Sequence, residues 1–411
     1  MDYDVIVLGG GASGMMAAGQ AAARGKRVLV LEKNARLGAK LAITGGGRCN
    51  ITNGEPDEQK LLAHYGAAKP FLHSAFAQFG VRDTFSFFES RGVPLVEQAH
   101  HRVFPRSEHA EDVVRVLQEY LVAGGVTVHC SKAVEQIHIL NNRISGVTAG
   151  GQKITATSYI LATGGFSHPE TGSTGDGFTW LRMFGHTVQE PTPTIVPLAV
   201  EDAWIKKLAG TTLRDVRIMF YLNGEKREVL KGNILCTHFG LSGPLMLNAA
   251  GRVADMLHEG TVTASIDLYP QEDIGALDAR IVGVFDANKN KALKNVWNEI
   301  APLGSESALT PLLEGIDAGG KVHSTTKEQR RVIVDTLKAL PVAITGLMGY
   351  ERAVIADGGV ALDEIDMRTM RSQKIDNLLL TGDLLHISRP SGGYSLQLCW
   401  TTGFVAGTHA E

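Results

Sequence analysis

Three glycines and one carboxylate have the spacing of a diphosphate-binding unit. Gly9, Gly11 and Gly14 stand in G-x-G-x-x-G order, with Ala12 and Ser13 inside the pattern, and Glu32 follows roughly twenty residues later. Gly9 permits a tight turn, Gly11 lets the backbone come close to a diphosphate, and Gly14 lets a helix pack on a strand. A carboxylate at Glu32 accepts hydrogen bonds from an adenosine ribose. It would repel a 2′-phosphate by about 4 kcal/mol at about 4 Å in an effective dielectric near ~20, which disfavours NADP even with Lys33 alongside.

These residues need a strand, a turn, a helix and a second strand to hold them. Residues 5–8 are a short apolar run suited to a parallel strand covered on both faces. Residues 12–23 form a helix that aims its N-terminal N–H groups at the diphosphate and ends at Arg24-Gly25. Residues 28–31 supply the second strand. A second glycine-rich stretch follows from Lys40 to Asn53, where Gly46 and Gly47 allow close approach to a flat or phosphorylated ligand. Arg48 there is a candidate partner for phosphate, Asn50 and Asn53 offer amides, and a surface loop around a buried Cys49 is the bland alternative.

The run Gly-Gly-Gly-Arg-Cys-Asn-Ile-Thr-Asn beside this unit resembles the bacterial FAD flavoprotein family that includes aminoacetone oxidase and a bile-acid 4,6-reductase, within the glutathione-reductase-like superfamily. The resemblance runs nearly the whole length. It implies an α/β, Rossmann-like FAD-binding domain and assigns further contacts. The backbone near Val134 would meet adenine, and Thr163-Gly164-Gly165 resembles the second FAD-contacting turn. The stretch ending at Asp176 resembles one found near the flavin. Gly382-Asp383 resembles the element that binds the ribityl chain, and Gly392-Gly393-Tyr394-Ser395 opens a helix whose dipole would face the flavin N1/O2 edge. The family often has Glu at position 383 and an acid near 386. Here Asp383, His386 and nearby Arg389 stand instead, which suggests a neutral or anionic substrate over a cationic amine.

The expected domains are an FAD-binding domain over 1–190 and 343–411, an inserted β-rich domain over 191–275, and a helical subdomain over 276–342. Pro191-Thr-Pro-Thr194 marks the first boundary by opposing regular structure, and Asn223-Gly224 marks a hairpin. His238, in a stretch resembling one that faces the flavin, is a candidate proton donor or a structural histidine. His386 and Arg389 are the other catalytic candidates, and the acid–base residue stays unassigned.

The formal charge of −3 gives no electrostatic reason to expect nucleic acid. Four cysteines without CxxC or zinc spacing suggest a reduced cytoplasmic protein with no metal site. No apolar run reaches the roughly 18 residues a membrane helix needs. The expected activity is an FAD-dependent oxidoreductase exchanging hydride with a small organic substrate. No second dinucleotide unit is present, so NAD(P)H would act as a transient reductant. An NAD-binding dehydrogenase, a non-enzymatic flavin redox protein and a flavin-dependent RNA-modifying enzyme are the alternatives; the oligomeric state is open.

Overall fold

The apolar run at the start of the chain forms the strand Tyr3–Leu8, whose last four residues are buried. It lies at the centre of a five-stranded parallel sheet in the order Leu378–Leu380, Ala156–Leu161, Tyr3–Leu8, Val28–Leu31, Thr127–His129. Its three central strands are short, almost wholly apolar and covered on both faces, as parallel strands must be. The computed structural model describes residues 1–411.

Two compact units emerge. The first comprises Met1–Pro193 and Val354–Glu411, and the second Thr194–Ala353. In the first unit the helix Ala12–Ala23 packs along the C-terminal helix Tyr394–His409. A Cβ on Gly403 would lie 2.5 Å from the Ser13 carbonyl, and one on Gly407 would lie 2.4 Å from that of Ala17. The two helix backbones therefore touch, and the end of the chain is locked against its beginning. Small antiparallel sheets complete this unit: Thr52–Asn53, Arg102–Pro105 and Leu95–Gln98, and Val134–Leu140, Arg143–Ala149 and Gln152–Ile154.

The prolines at 191 and 193 do not interrupt regular structure. They sit in the strand Val188–Ile195, which pairs only with Ile355–Val360 in a two-stranded ribbon. Each strand of a ribbon has an open edge, where a missing N–H breaks no ladder bond.

The second unit is a closed barrel of Leu198–Val200, Gly240–Ser242, Glu225–Cys236, Thr212–Leu222, Val262–Asp267 and Leu340–Leu347. Its longest hairpin turns at Asn223-Gly224, both with positive φ. The helices Ile274–Ala287, Leu293–Ile300 and Lys327–Lys338 share one apolar core with the barrel. The sequence places a separate helical subdomain at 276–342 and the return to the first unit at 343. The structure instead keeps 343–353 in the second unit, because Leu340–Leu347 closes the barrel by pairing with Val262–Asp267 and Leu198–Val200. No helix is long and apolar enough to cross a membrane.

Candidate functional site

Because the central strands run parallel, the segments that follow them emerge on one edge of the sheet. Gly9 follows Leu8, Glu32 follows Leu31, Thr163-Gly164-Gly165 follows the strand ending at Leu161, and Gly382-Asp383 follows Leu380 by two residues. Ligands of open parallel sheets bind at this edge. The segments are packed on one another. A Cβ on Gly9 would lie 2.5 Å from the Ala162 carbonyl oxygen, and one on Gly14 would lie 2.0 Å from that of Gly9, so neither position tolerates a side chain. Thr381 Oγ1 donates to Ser13 Oγ at 3.0 Å, joining the last strand to the first helix.

Glu32 is buried, and backbone N–H groups hold both its oxygens: Gly10 donates to Oε2 at 2.7 Å and Asn34 to Oε1 at 2.8 Å. Each carboxylate oxygen has a second acceptor direction to spare. Lys33 turns away from it and donates to Asp176 Oδ2 at 2.7 Å and to Thr174, tying the second strand to the helix Asp176–Met183. Two candidates far apart in sequence thus hold each other.

The loop after Lys40 turns through Gly45, Gly46 and Gly47, all with positive φ, and buries Cys49 completely. Burial pushes the Cys49 thiol well above its ordinary pKa, so it is no nucleophile. Arg48 does not offer a free cation for phosphate. It is bound to Glu108 and, at 3.0 Å, to Gln98 Oε1, and its guanidinium lies 4.3 Å from the centre of the Phe104 ring.

Asp383, Arg389 and Ser395 form one cluster. Arg389 is buried, pairs with Asp383, donates from Nη1 to the Ile387 carbonyl at 2.6 Å and from Nε to Ser395 Oγ at 3.0 Å. The expectation that Arg389 meets substrate fails here, because its charge is spent inside the protein. Gly392 and Gly393 lead into the terminal helix, with the Gly392 carbonyl accepting from Asn53 Nδ2 at 3.1 Å. Tyr394 is buried and its phenol is pushed up to about 12 by that burial. Lys40 Nζ donates to Ser167 Oγ at 2.5 Å. His386 is exposed at the end of this segment, and His238 is exposed in the second unit. Val134 pairs with Ala149 in the outer three-stranded sheet. Sequence reasoning passed over Ser167, Thr381 and Gln397; Gln397 is buried and its Oε1 accepts from Thr52 at 2.6 Å and Thr84 at 3.0 Å.

The residues present suit a flavin nucleotide. A Cβ on Gly11, Gly46 or Gly47 would meet no atom within 4 Å, whereas Gly9 and Gly14 are closely packed. Asn50 Oδ1 and Thr163 Oγ1 are buried polar atoms with no hydrogen-bond partner in the protein, which a bound ligand would supply.

The family described as HI0933-like protein Rossmann domain matches residues 3–409. The chain belongs to that family. Among the curated relatives of this HI0933-like protein, a 3-dehydro-bile acid delta(4,6)-reductase of Clostridium scindens is 29% identical over 98% of each chain. A ribosomal RNA dihydrouridine synthase of Escherichia coli is 27% identical over 98% of this chain and 96% of its own. Among solved structures, the 3-ketosteroid delta1-dehydrogenase of Sterolibacterium denitrificans shares the fold with a TM-score of 0.55 at 15% identity, covering 99% of each chain. The HI0933-like chain is an FAD-dependent oxidoreductase with a Rossmann-like FAD-binding domain. The exclusion of nucleic acid drawn from net charge is unsupported beside the ribosomal-RNA relative, because a charge of −3 averaged over 411 residues says nothing of a local surface.

Proposed function

We propose that this HI0933-like protein uses FAD to saturate a carbon–carbon double bond conjugated to a carbonyl group, with NAD(P)H as electron source. The observation that carries the flavin reading is the convergence of Gly9–Gly14, Glu32, Thr163–Gly165 and Gly382-Asp383 on one edge of the sheet. The reaction class is supported by the names of the two curated relatives, since a delta(4,6)-reductase and a dihydrouridine synthase both add hydrogen across such a bond.

In this reading Gly9, Gly11, Ala12, Ser13 and Gly14 receive the diphosphate at the helix N-terminus, and Glu32 takes the ribose. The Val134 backbone borders adenine. Thr163, Gly164, Gly165, Gly382 and Asp383 line the ribityl chain. Gly46, Gly47, Asn50 and the Gly392–Ser395 turn border the ring, while Lys33, Asp176, Arg48 and Cys49 fix the loops that carry these groups. Bound FAD, once reduced, supplies a hydride to one substrate carbon. The neighbouring carbon needs a proton, and the exposed imidazole of His386, in the same unit as the flavin site, is the candidate donor. An RNA uridine is the second substrate class, favoured by the ribosomal-RNA relative.

The test is the visible spectrum of purified protein, followed without oxygen after NADH or NADPH and then after adding a conjugated cyclic enone or an unmodified ribosomal RNA transcript. Bleaching, followed by reoxidation in step with a product carrying two extra hydrogens, is the expected result. A colourless protein that takes up no FAD overturns the flavin reading. A bleached flavin that only oxygen reoxidises overturns the double-bond reading.

A further inference from the structure

The second unit carries a positive surface that no motif announces. Residues 289–294 and 318–323 run side by side as a short antiparallel ladder. The Leu293 N–H donates to the Gly320 carbonyl at 2.9 Å, the Lys294 N–H to that of Ala318 at 2.9 Å and the Val322 N–H to that of Lys291 at 3.0 Å, with Ala292 bridged to Lys321. Leu293 and Val322 are buried in the apolar core that the barrel shares with its helices, which anchors the ladder. Lys289, Lys291, Lys294, Lys321 and His323 stay exposed on it. His323 Nδ1 donates to the Lys289 carbonyl at 2.8 Å, so the imidazole is held beside the lysines. The acids here do not cancel the charge. Lys289 has Asp286 at 3.6 Å, but Lys291, Lys294 and Lys321 have no carboxylate within 4 Å. Asp317 accepts from the Gly319 N–H at 2.8 Å, and Glu299 from Asn288 Nδ2 at 3.2 Å. Backbone hydrogen bonds thus gather four lysines on one ladder, in a chain whose formal charge is −3.

We propose that this surface docks the phosphate backbone of a nucleic acid, with Lys289, Lys291, Lys294 and Lys321 meeting its phosphates. Lysines are point charges that bind phosphate oxygens and displace condensed counterions without reading bases. A lipid bilayer is a poorer match, because neither segment exposes a large apolar side chain to insert into it. RNA and DNA offer a lysine the same phosphate, and only the 2′-hydroxyl tells them apart. The docking goes beyond the flavin reading and does not depend on it.

The test is fluorescence anisotropy of the full-length protein with a labelled, uridine-rich single-stranded RNA, repeated over a series of salt concentrations and with a DNA of matching sequence. The variant Lys291→Gln/Lys294→Gln/Lys321→Gln removes the three lysines that have no acid. Its control, Arg214→Gln/Lys226→Gln/Lys231→Gln, removes equal charge from exposed positions of the barrel hairpin. Each phosphate neutralised on a single strand contributes about −0.7 to the slope of log affinity against log salt. The ladder variant should therefore lose a slope of about 2 and bind RNA about a hundred-fold more weakly at ~0.1 M salt, while the hairpin variant stays within about two-fold of wild type. DNA bound as tightly as RNA assigns the contact to phosphate alone, and RNA bound more tightly adds a 2′-hydroxyl contact; either supports the surface. Unchanged affinity and slope in the ladder variant overturn it, as does an equal loss in the hairpin variant. Tighter binding to polyglutamate, or to vesicles of phosphatidylcholine and phosphatidylglycerol, than to RNA also overturns it. A wild-type protein that binds RNA yet takes up no FAD is a different result, since it overturns the flavin reading alone.

Discussion

Replacing Asp383 by Ala leaves the Arg389 guanidinium buried without its anion. The Arg389 side chain is 3% exposed and that of Asp383 21%, so water reaches the pair poorly and from the carboxylate side only. Breaking a buried ion pair at one partner costs about 3–5 kcal/mol, because the remaining charge stays desolvated. Arg389 keeps its bonds to the Ile387 carbonyl and Ser395, which places the expected loss near the lower end, about 3 kcal/mol. At roughly 2–4 °C per kcal/mol for a unit of this size, the apoprotein should melt about 6–12 °C lower. Arg389→Met removes the other partner and leaves a carboxylate that water reaches more easily, so its cost should be smaller. The double variant should lose less than the sum of the two, with a coupling of about 2 kcal/mol.

The assay is thermal and urea unfolding of the flavin-free protein, so that cofactor binding does not enter. Kinetics of Arg389→Met with matched anionic and cationic substrates complete it. If Arg389→Met leaves the melting temperature unchanged and alters only the preference between anion and cation, Arg389 faces substrate and its pair with Asp383 has no structural role.

Three further outcomes follow from other parts of the molecule. His186 is buried, with Nδ1 2.9 Å from Glu364 Oε2 and Nε2 2.9 Å from Ser372 Oγ. Burial lowers its pKa, so only the unfolded chain takes up a proton as the pH falls through 6.5, and stability declines there. Burial raises the pKa of Glu364, but hydrogen bonds from Lys374, Thr187 and His186 outweigh it and hold the carboxyl at about 2 rather than 4.5. That contribution, about 3 kcal/mol, is complete above 4.5 and vanishes as the pH falls towards 2. Melting curves of Glu364→Gln should be lower at neutral pH and flatter between 4.5 and 2; an unchanged slope would remove Glu364 from the explanation. Gly14→Ala drives a methyl to 2.0 Å from the Gly9 carbonyl, so the protein should purify colourless with its second unit folded, as read by near-ultraviolet circular dichroism. Thr326→Ala breaks a capping box in which Thr326 Oγ1 accepts from the Gln329 N–H at 3.1 Å; it should cost about 1 kcal/mol, seen in urea unfolding of the second unit, and leave flavin uptake untouched.

What the sequence made legible was local. The glycine spacing and Glu32 are set by contacts inside one strand-turn-helix-strand unit, and the hairpin at Asn223-Gly224 comes from a short-range turn rule. The barrel escaped because Leu340–Leu347 is closed by strands more than 70 and 140 residues earlier, with no marker in its own composition. Two prolines in four residues read as a break because nothing local says that the strand they join has an open edge.

Charges were the least legible part of the site. Arg48 and Arg389 stand beside glycine-rich motifs, where an arginine reads as a ligand for phosphate or substrate, yet each is neutralised by an acid the motif does not contain. Glu108 lies 60 residues from its arginine, and Asp383 six from its own but across a turn. Lys33 is likewise spent on Asp176, 143 residues away. Subtracting these internal pairs changes what the carboxyl edge of the sheet can recognise. Lys40, by contrast, makes its hydrogen bond to a neutral hydroxyl, Ser167 Oγ, and not to a carboxylate. Counting basic residues near a glycine loop therefore overstates its appetite for anions, and the count becomes meaningful only after each cation's partner is known.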